Sequence, residues 1–495
     1  MRIFLNSLYL RLSLLKIFLL HSTSQLGIIT SSANGVIKLY GLCLAFVGQV
    51  FCPALSTNNR GVIVSVGRDY NSWVTVRALY IDGRISELAE GFSVFTRPSL
   101  ATIYLGNHVI GSILNCLGNI IDLNEACKEI SPSHEWVVES PSVGLIDRQS
   151  VFEPMQTGIF AVDAMIPIGR GQRELILGDR YTGKTTIGLD AIINQRFQKV
   201  LAIFNAVGTR ASEVLGALLC LACNKASSFL TLVVATASSG AVAQYYSAYT
   251  AASVADYFML VRNLSCLVLH DDLTRHAVAY REISLLLGRP PGREAYPGDV
   301  FFVHSRLLER AAMVSSSLGG GSATALPIIE TLGGDVSGYI TTNVISITDG
   351  QLFLSSDKFL RGVRPAIDVG LSVTRVGSAA QWSGMQLVGS AYKLRLTQYY
   401  ELEAFSQFAA DLSPESKAAL QLGKQTEGIF IQPASQPYSL PSQLLIASTF
   451  NNGYSQSVGG DQAAEVALRL SKIPSWLLLF IPPRMAGHCI STPQS

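Results

Sequence analysis

Residues 178–185 read Gly-Asp-Arg-Tyr-Thr-Gly-Lys-Thr and match the pattern G-x-x-x-x-G-K-[ST]. The apolar segment ELILG before the motif predicts a strand, and TIGLDAIINQ after it predicts a helix. The two glycines let backbone N–H groups turn towards phosphate oxygens, and the helix N-terminus favours the same anion. The sequence therefore predicts a nucleotide site in which Lys184 neutralises the β- and γ-phosphates and the Thr185 hydroxyl binds Mg²⁺. A strand-to-helix turn that binds no ligand is the alternative.

A second candidate group follows another buried strand. Residues 266–269 are apolar and lead through His270 to Asp271 and Asp272. A carboxylate at the end of a buried strand commonly holds the water shell of a phosphate-bound Mg²⁺, so we assign that role to Asp271. For Asp272 the pattern favours capping of the next helix.

The composition excludes several classes of protein. The 495 residues carry 37 Lys and Arg against 35 Asp and Glu, and this net charge of +2 argues against nucleic acid as a partner. Hydrophobic residues make up 48% of the chain, which is enough for packed cores and excludes intrinsic disorder. Charged residues make up only 15%, against about 25% in ordinary soluble domains, so we expect much of the surface to face partner subunits.

Two cysteines, Cys220 and Cys223, form the C-x-x-C pattern of many zinc sites. No second pair and no nearby histidine completes a zinc ligand set. Because the two lie in the apolar run GALLCLACN, we expect buried thiols on one helix.

The N-terminal segment, residues 1–26, differs from the rest of the chain. No acidic residue precedes Asp69, and basic residues interrupt the apolar stretch 3–20 before it reaches the roughly 18 residues of a membrane span. Such a start is typical of an organelle transit peptide. An amphipathic docking helix that stays on the protein is the alternative.

The rest of the chain divides into three parts. Residues 27–97 contain short segments such as GVIKLYGL and GVIVSV between turn residues, which predicts a small all-β domain. In 98–385, continuous apolar strands alternate with helical stretches, which predicts a mainly parallel sheet with helices on both faces. Residues 386–495 begin as a helical pattern and become rich in Ser, Gln and Pro. The overall fold class is α/β.

At these residues the chain resembles the α subunit of the F-type rotary ATP synthase. Besides GDRYTGKT it contains EPMQTGIFAVDAMIPIGRGQRELILGDR, LLLGRPPGREAYPGDVFFVHSRLLERAA and PAIDVGLSVTRVGSAAQ. The resemblance is nearly continuous over 150–385, weaker over 27–149 and faint from about 440 onward. It implies a β-barrel, a RecA-like P-loop nucleotide domain and a short, divergent helical C-terminal domain. It also implies partners: three β subunits alternating with three such chains, the central stalk γ and a peripheral stalk subunit.

The resemblance implies a bound Mg-ATP or ADP that is not turned over. Catalytic members of the family place a water-orienting Glu directly after the glycine that corresponds to Gly208, where this chain has Thr209. A threonine hydroxyl is too weak a base to activate water at neutral pH. Arg375, in LSVTRVGSAAQ, matches the family's arginine finger, which acts in the neighbouring β subunit's catalytic site. Ser346, in VISITDGQ, matches another position near that interface.

Around the adenine, Arg364 and Pro365 match the family's base-proximal pair. Gln432 aligns with the first glutamine of its Q-G-Q element without a gap, and Gln436 aligns with the second after a shift of two residues. The predicted nucleotide-binding residues are Gly178, Asp179, Arg180, Tyr181, Thr182, Gly183, Lys184, Thr185, Thr186, Arg364, Pro365, Gln432 and Gln436, and the predicted metal ligands are Thr185 and Asp271.

Three functions compete. The first is a non-catalytic, regulatory α subunit on the matrix side of the mitochondrial inner membrane, with another energy-transducing membrane as the alternative location. The second is a self-sufficient RecA-like hexameric ATPase of helicase or export type, which would need its own carboxylate after Gly208. The third is a degenerate subunit with a structural role only, against which the intact Lys184, Asp271 and Arg375 speak.

Overall fold

The computed structural model describes residues 25–53, 60–68, 74–81, 89–121, 134–406, 414–451 and 460–473. Nearly all of the predicted targeting or docking segment at 1–26 lies outside these residues, and so does the end of the chain after residue 473. None of the described helices is both long and apolar enough to cross a membrane.

The N-terminal part is a closed antiparallel barrel of six strands in the order β1-β2-β5-β4-β3-β6. Alternate residues of β1 and β2 are buried, as expected for strands with one face on a core. Asn34 and Gly35 join these two strands with positive φ angles of 44° and 82°, the geometry of a tight hairpin turn. The strands are β1 (Leu26–Ala33), β2 (Val36–Tyr40), β3 (Gln49–Pro53), β4 (Gly61–Arg68), β5 (Val74–Tyr80) and β6 (Ser93–Leu100).

The central part contains an eight-stranded sheet in the order β18-β17-β12-β16-β15-β13-β14-β8, in which every pair except β17–β18 is parallel. The prediction of a mainly parallel sheet is confirmed. The strands that follow the barrel are β7 (Thr102–Leu105), β8 (Ile113–Leu114), β9 (His134–Val137), β10 (Pro154–Met155), β11 (Ile168–Gly169), β12 (Glu174–Gly178), β13 (Leu201–Val207), β14 (Leu230–Ala235), β15 (Ser265–Asp271), β16 (Ser322–Glu330), β17 (Gly350–Leu354) and β18 (Val373–Thr374).

Helices pack on both faces of this sheet, because its strands carry apolar side chains on both faces. Successive side chains of a strand point to opposite sides. Leu175 and Leu177 of β12 accordingly belong to the apolar cluster on one face, and Ile176 between them belongs to the cluster on the opposite face. The helices are α1 (Phe160–Met165), α2 (Lys184–Asn194), α3 (Ala211–Cys223), α4 (Ala241–Leu260), α5 (Leu273–Leu286), α6 (Val300–Leu308), α7 (Tyr339–Ile347), α8 (Ser356–Leu360), α9 (Ser383–Ser406), α10 (Pro414–Ile429), α11 (Leu440–Asn451) and α12 (Gly460–Ser471).

The C-terminal helices α9 to α12 pack on the same face of the sheet as α2. Tyr392 of α9, Ile429 of α10, Ile446 of α11 and Ala463 of α12 lie in one apolar cluster with Ile192 of α2. The Ser/Gln/Pro-rich sequence after about residue 440 therefore still forms the packed helices α11 and α12. In α3, by contrast, the expectation of buried thiols is wrong, because Cys223 is exposed and Cys220 only partly buried.

Candidate functional site

The carboxyl ends of four neighbouring strands meet at one edge of the central sheet. Gly178 ends β12, Glu330 ends β16, Asp271 ends β15, and Thr209 follows β13. A cavity of about 720 Å³ opens at this edge. Many predicted site residues line it: Arg180, Tyr181, Thr182, Gly183, Lys184, Thr185, Thr186, Asp271, Arg364, Pro365 and Gln432.

The predicted phosphate-binding loop depends on its two glycines. A Cβ atom at Gly178 would lie only 2.8 Å from the carbonyl oxygen of Leu354, so a side chain is excluded there. Gly183 has a φ of 93°, in the left-handed region that glycine tolerates, and α2 starts directly after it. Tyr181 also has a positive φ, 64°, and its side chain is exposed. These two positive φ angles make the tight bend between β12 and α2.

Lys184 is a buried cation at the start of α2. Its Nζ donates to the carbonyl oxygens of Gly178 at 2.9 Å and Asp179 at 2.5 Å. Burial lowers the pKa of Lys184, and the surrounding carboxylates, Glu330 foremost, oppose that effect. A desolvated ammonium group held in this loop is suited to charge-assisted hydrogen bonds with phosphate oxygens.

Thr185 and Asp271 form the predicted metal-binding pair. The Thr185 hydroxyl donates to Asp271 Oδ2 at 2.7 Å. Burial raises the pKa of Asp271, while the hydrogen bond from Thr185 and the charge of Lys184 act in the opposite direction. A hydroxyl and a carboxylate beside a phosphate loop are the hard oxygen donors that Mg²⁺ prefers, so the residues present fit this ion.

Asp179 and Arg180 connect the loop to neighbouring elements. Asp179 accepts hydrogen bonds from the Thr331 hydroxyl and from Ser356, both at 2.8 Å, and from the backbone N–H of Gly334 at 2.9 Å. Desolvation opposes ionisation, but these hydrogen bonds outweigh it and keep the pKa of Asp179 below its ordinary value. Asp179 does not line the cavity. Arg180 lines the cavity, and its guanidinium Nε donates to the Glu330 carboxylate at 2.9 Å.

Charged residues other than the predicted site residues also line the cavity. Asp272 caps α5, as predicted, and accepts from the backbone N–H of Arg275 at 2.8 Å, yet it also lines the cavity. Burial and the neighbouring Asp271 raise the pKa of Asp272 to about 7. Arg275 and Glu330 were not anticipated. The position of Glu330 at the end of the apolar run ALPII is the signal that could have indicated it.

The predicted adenine-side residues do not all reach the cavity. The Gln432 side chain is buried and bonds to backbone, accepting from Phe160 N at 3.1 Å and donating to the carbonyls of Gly158 and Gln436 at 2.9 and 2.8 Å. Gln436 contributes that carbonyl, and its exposed side chain does not line the cavity. Asp190 of α2, which was not anticipated, lies in the lining and accepts from Ser435 N at 2.8 Å.

Two family models match this chain. Residues 158–374 match the nucleotide-binding domain of the ATP synthase alpha/beta family, and residues 381–473 match the C-terminal domain of the ATP synthase alpha/beta chain. The chain belongs to the ATP synthase alpha/beta family. It is a nucleotide-binding subunit of an ATP synthase, a membrane-associated complex of several subunits. The second match extends to residue 473 and so includes part of the segment in which the resemblance is faint.

In this ATP synthase subunit, Arg375 lies at the opposite edge of the sheet from the cavity. Gly178 pairs with Leu354 at the carboxyl end of β17, whereas Thr374 pairs with Gly350 at its amino end. Five residues of strand separate the two ends by roughly 13 Å at about 3.3 Å per residue. The Arg375 side chain is exposed and does not line the cavity.

Ser346 lies on α7, near the same end of β17, and not in a strand. Its side chain is exposed, and its hydroxyl donates to the Asn343 carbonyl at 2.6 Å within the helix. It does not line the cavity either. Of the predicted site residues, the structure thus brings the phosphate loop and Asp271 together and leaves Arg375 and Ser346 on a separate surface.

Proposed function

We propose that this chain is the non-catalytic, regulatory α subunit of an F-type ATP synthase. It binds Mg-ATP or ADP in its own cavity without turnover and supplies Arg375 to the catalytic site of a neighbouring β subunit during proton-driven ATP synthesis. The observation that carries this proposal is the exposed Arg375 at the sheet edge opposite the chain's own phosphate loop. From there its guanidinium can reach only a nucleotide that another subunit holds.

The lack of turnover rests on Thr209, whose side chain lies in the cavity and is buried. A hydroxyl there cannot take a proton from the attacking water at neutral pH. Among the described residues, five carboxylates line the cavity, and each already has a partner: Glu330 pairs with Arg180, Asp271 accepts from Thr185, Asp272 caps α5, Glu213 accepts from the Arg210 N–H, and Asp190 accepts from the Ser435 N–H. None of them stands directly after Gly208, where catalytic members of the family place the water-orienting Glu.

The chain's own residues bind the nucleotide. Backbone N–H groups of the phosphate loop and the Lys184 ammonium hold the phosphates, and Lys184 exchanges its two carbonyl partners for phosphate oxygens. Thr185 and Asp271 hold the metal ion, which supplies positive charge that neutralises the phosphates. Arg364 and Pro365 border the cavity on the adenine side.

The proposed partners follow from the same assembly. Three such chains alternate with three β subunits around the central stalk γ, and a peripheral stalk subunit holds the ring, on the matrix side of the mitochondrial inner membrane. The small charged fraction of 15% and the exposed Leu371 and Val373 beside Arg375 suit a surface that other subunits cover. The proposed parts are a targeting or docking segment (1–26), a β-barrel (27–97), a RecA-like nucleotide domain (98–385) and a helical domain (386–495).

The test uses the complex reconstituted with β and γ subunits. Arg375→Ala should lower its turnover by a factor of about 10³ or more while this chain keeps its own bound nucleotide, because an arginine finger stabilises charge only in the partner's transition state. Arg361→Ala, at another exposed arginine that pairs with Glu403, is the matched control and should leave turnover unchanged. Undiminished turnover in the Arg375 variant would refute the proposal.

The isolated chain provides a second test. It should retain Mg-ATP and hydrolyse it negligibly. Robust hydrolysis by the isolated chain would favour the self-sufficient hexameric ATPase instead.

A further inference from the structure

Asp349 and Arg375 face each other across the antiparallel pair of β17 and β18. Gly350 pairs with Thr374, and one residue further out the Arg375 N–H donates to the Asp349 carbonyl at 2.8 Å. Side chains of directly opposed residues point to the same face, with Cβ atoms about 4.5–5.5 Å apart. An aspartate and an arginine in this arrangement are expected to form a salt bridge.

The Asp349 carboxylate bonds to Arg173 instead. Arg173 Nε lies 2.9 Å from Asp349 Oδ2, and Arg173 Nη2 lies 2.7 Å from Oδ1. The backbone N–H of Arg173 adds a third hydrogen bond to Oδ2 at 3.0 Å, and the Asp349 N–H donates to the Arg173 carbonyl at 2.8 Å. Both carboxylate oxygens are thus engaged by the fixed fork of one guanidinium.

The Arg375 guanidinium forms no hydrogen bond or ion pair with any residue in the part of the chain that the structure describes, and its side chain is exposed. We propose that Arg173 is a positioning residue: by occupying Asp349 it keeps Arg375 free to bind a phosphate group held by a neighbouring subunit. The phosphate-binding part of this inference rests on the proposed function, whereas the competition for Asp349 does not.

Gln172, the residue before Arg173, contacts the residue before Arg375. Gln172 Nε2 donates to the Thr374 hydroxyl at 3.0 Å and to Glu174 Oε2 at 2.7 Å. Gln172 therefore anchors the Thr374 side chain, while Arg173 neutralises the carboxylate opposite Arg375. Without Arg173, Asp349 would be an uncompensated carboxylate directly opposite Arg375.

The competition is tested on the isolated full-length chain by the rate at which phenylglyoxal modifies Arg375, followed by peptide mass spectrometry. Arg173→Gln should slow this reaction several-fold, because a carboxylate partner stabilises the protonated guanidinium and the reagent attacks the neutral form. Adding Asp349→Asn to that variant should restore the parent rate. Arg170→Gln, which removes a nearby arginine that pairs with Glu153 and not with Asp349, should have no effect.

Thermal melting and retained nucleotide establish that each variant is folded. Arg173→Lys keeps the positive charge but offers no bidentate fork, so it should slow the reaction less, and it replaces the Gln variant if that one does not fold. An unchanged Arg375 rate in the folded Arg173 variant, or no recovery in the double variant, overturns the inference.

In the reconstituted complex, Arg173→Gln should lower kcat with little change in KM for the nucleotide, and Asp349→Asn should restore kcat in the double variant. A merely structural role for Arg173 would not be rescued by removing a second hydrogen-bonding group. If Arg375 reactivity changes as expected while Arg375→Ala leaves turnover intact, the proposed function fails and the competition for Asp349 stands.

Discussion

The Thr185 hydroxyl donates a 2.7 Å hydrogen bond to Asp271 although 86 residues separate the two in the sequence. The bond joins the start of the helix after the phosphate loop to the end of β15, two strands away in the sheet. A hydroxyl and a carboxylate are thereby held together beside Lys184. This fixed pair of oxygen donors would lower the ordering cost of the Mg²⁺ and nucleotide binding that we propose.

Lys184→Ala should empty the chain's own nucleotide site. Its ammonium is the buried cation of the loop, and loss of charge-assisted hydrogen bonds worth about 1.5–3 kcal/mol weakens binding by roughly 10- to 100-fold. Equilibrium dialysis or fluorescence titration with a nucleotide analogue measures the effect. Lys417→Ala, at an exposed lysine of α10, is the control. Tight retention of nucleotide by the Lys184 variant would contradict the assignment of the phosphate site.

Thr209→Val should stabilise the nucleotide-free chain by about 1 kcal/mol. The Thr209 hydroxyl is buried and has no hydrogen-bond partner among the described residues, so a methyl group of similar shape removes a desolvation cost. Thr231→Val is the matched control, because the equally buried Thr231 hydroxyl donates to the Val109 carbonyl at 3.0 Å. That variant should lose about 1 kcal/mol. Denaturant unfolding of both variants checks the opposite signs.

Asp190→Asn should change how the stability of the nucleotide-free chain depends on pH. Burial raises the pKa of Asp190 to about 6, so between pH 4 and 6 the folded chain keeps a proton that the unfolded chain has released. The parent therefore loses stability as pH rises through this window, whereas an amide cannot ionise. The variant should be more stable at pH 7 by about 2–3 kcal/mol, a difference that disappears below about pH 4. Parallel unfolding free energies for the two proteins from pH 4 to 8 would contradict this prediction.

Arg310→Met should destabilise the fold by about 3–5 kcal/mol, because it leaves a buried aspartate without its cation. Arg310 and Asp256 are joined at 2.7 Å with side chains only 2% and 5% exposed. The surface pair of Arg469 and Glu465 has an equally short distance, 2.6 Å, but side chains that are 78% and 63% exposed. Arg469→Met should therefore change the free energy of unfolding by less than about 1 kcal/mol. Similar losses in the two variants would be the contradicting result.

Local patterns account for the parts of the site that the sequence predicted. The short apolar runs LIL in ELILG and CLVL in CLVLHD favour buried strands, and the glycines of 178–185 allow the loop between strand and helix. Each of these features depends only on residues that are close together in the sequence. The phosphate loop, Asp271 and the parallel sheet could therefore be predicted from the sequence.

Other features depend on which elements pack against each other in the folded chain. Gln432 follows α10 and lines the cavity, yet its amide group hydrogen-bonds to the backbone of Gly158 and Phe160. The exposure of Cys223 was missed because an apolar run does not say which face of a helix another element covers. Glu330 and Arg180, 150 residues apart, meet only because β16 lies next to β12.

The sequence by itself determined that the chain has a glycine-bounded loop between a strand and a helix, a carboxylate at a strand end and an arginine in a family-specific segment, since residue types and spacing encode local backbone and chemistry. Only the tertiary structure decided that Arg375 lies at the sheet edge away from that loop and that Asp349 bonds to Arg173, 176 residues earlier, rather than to the arginine opposite it. The physical reason is that an ion pair forms between whichever charged groups the strand order brings within about 3 Å, and strand order is a property of the folded sheet.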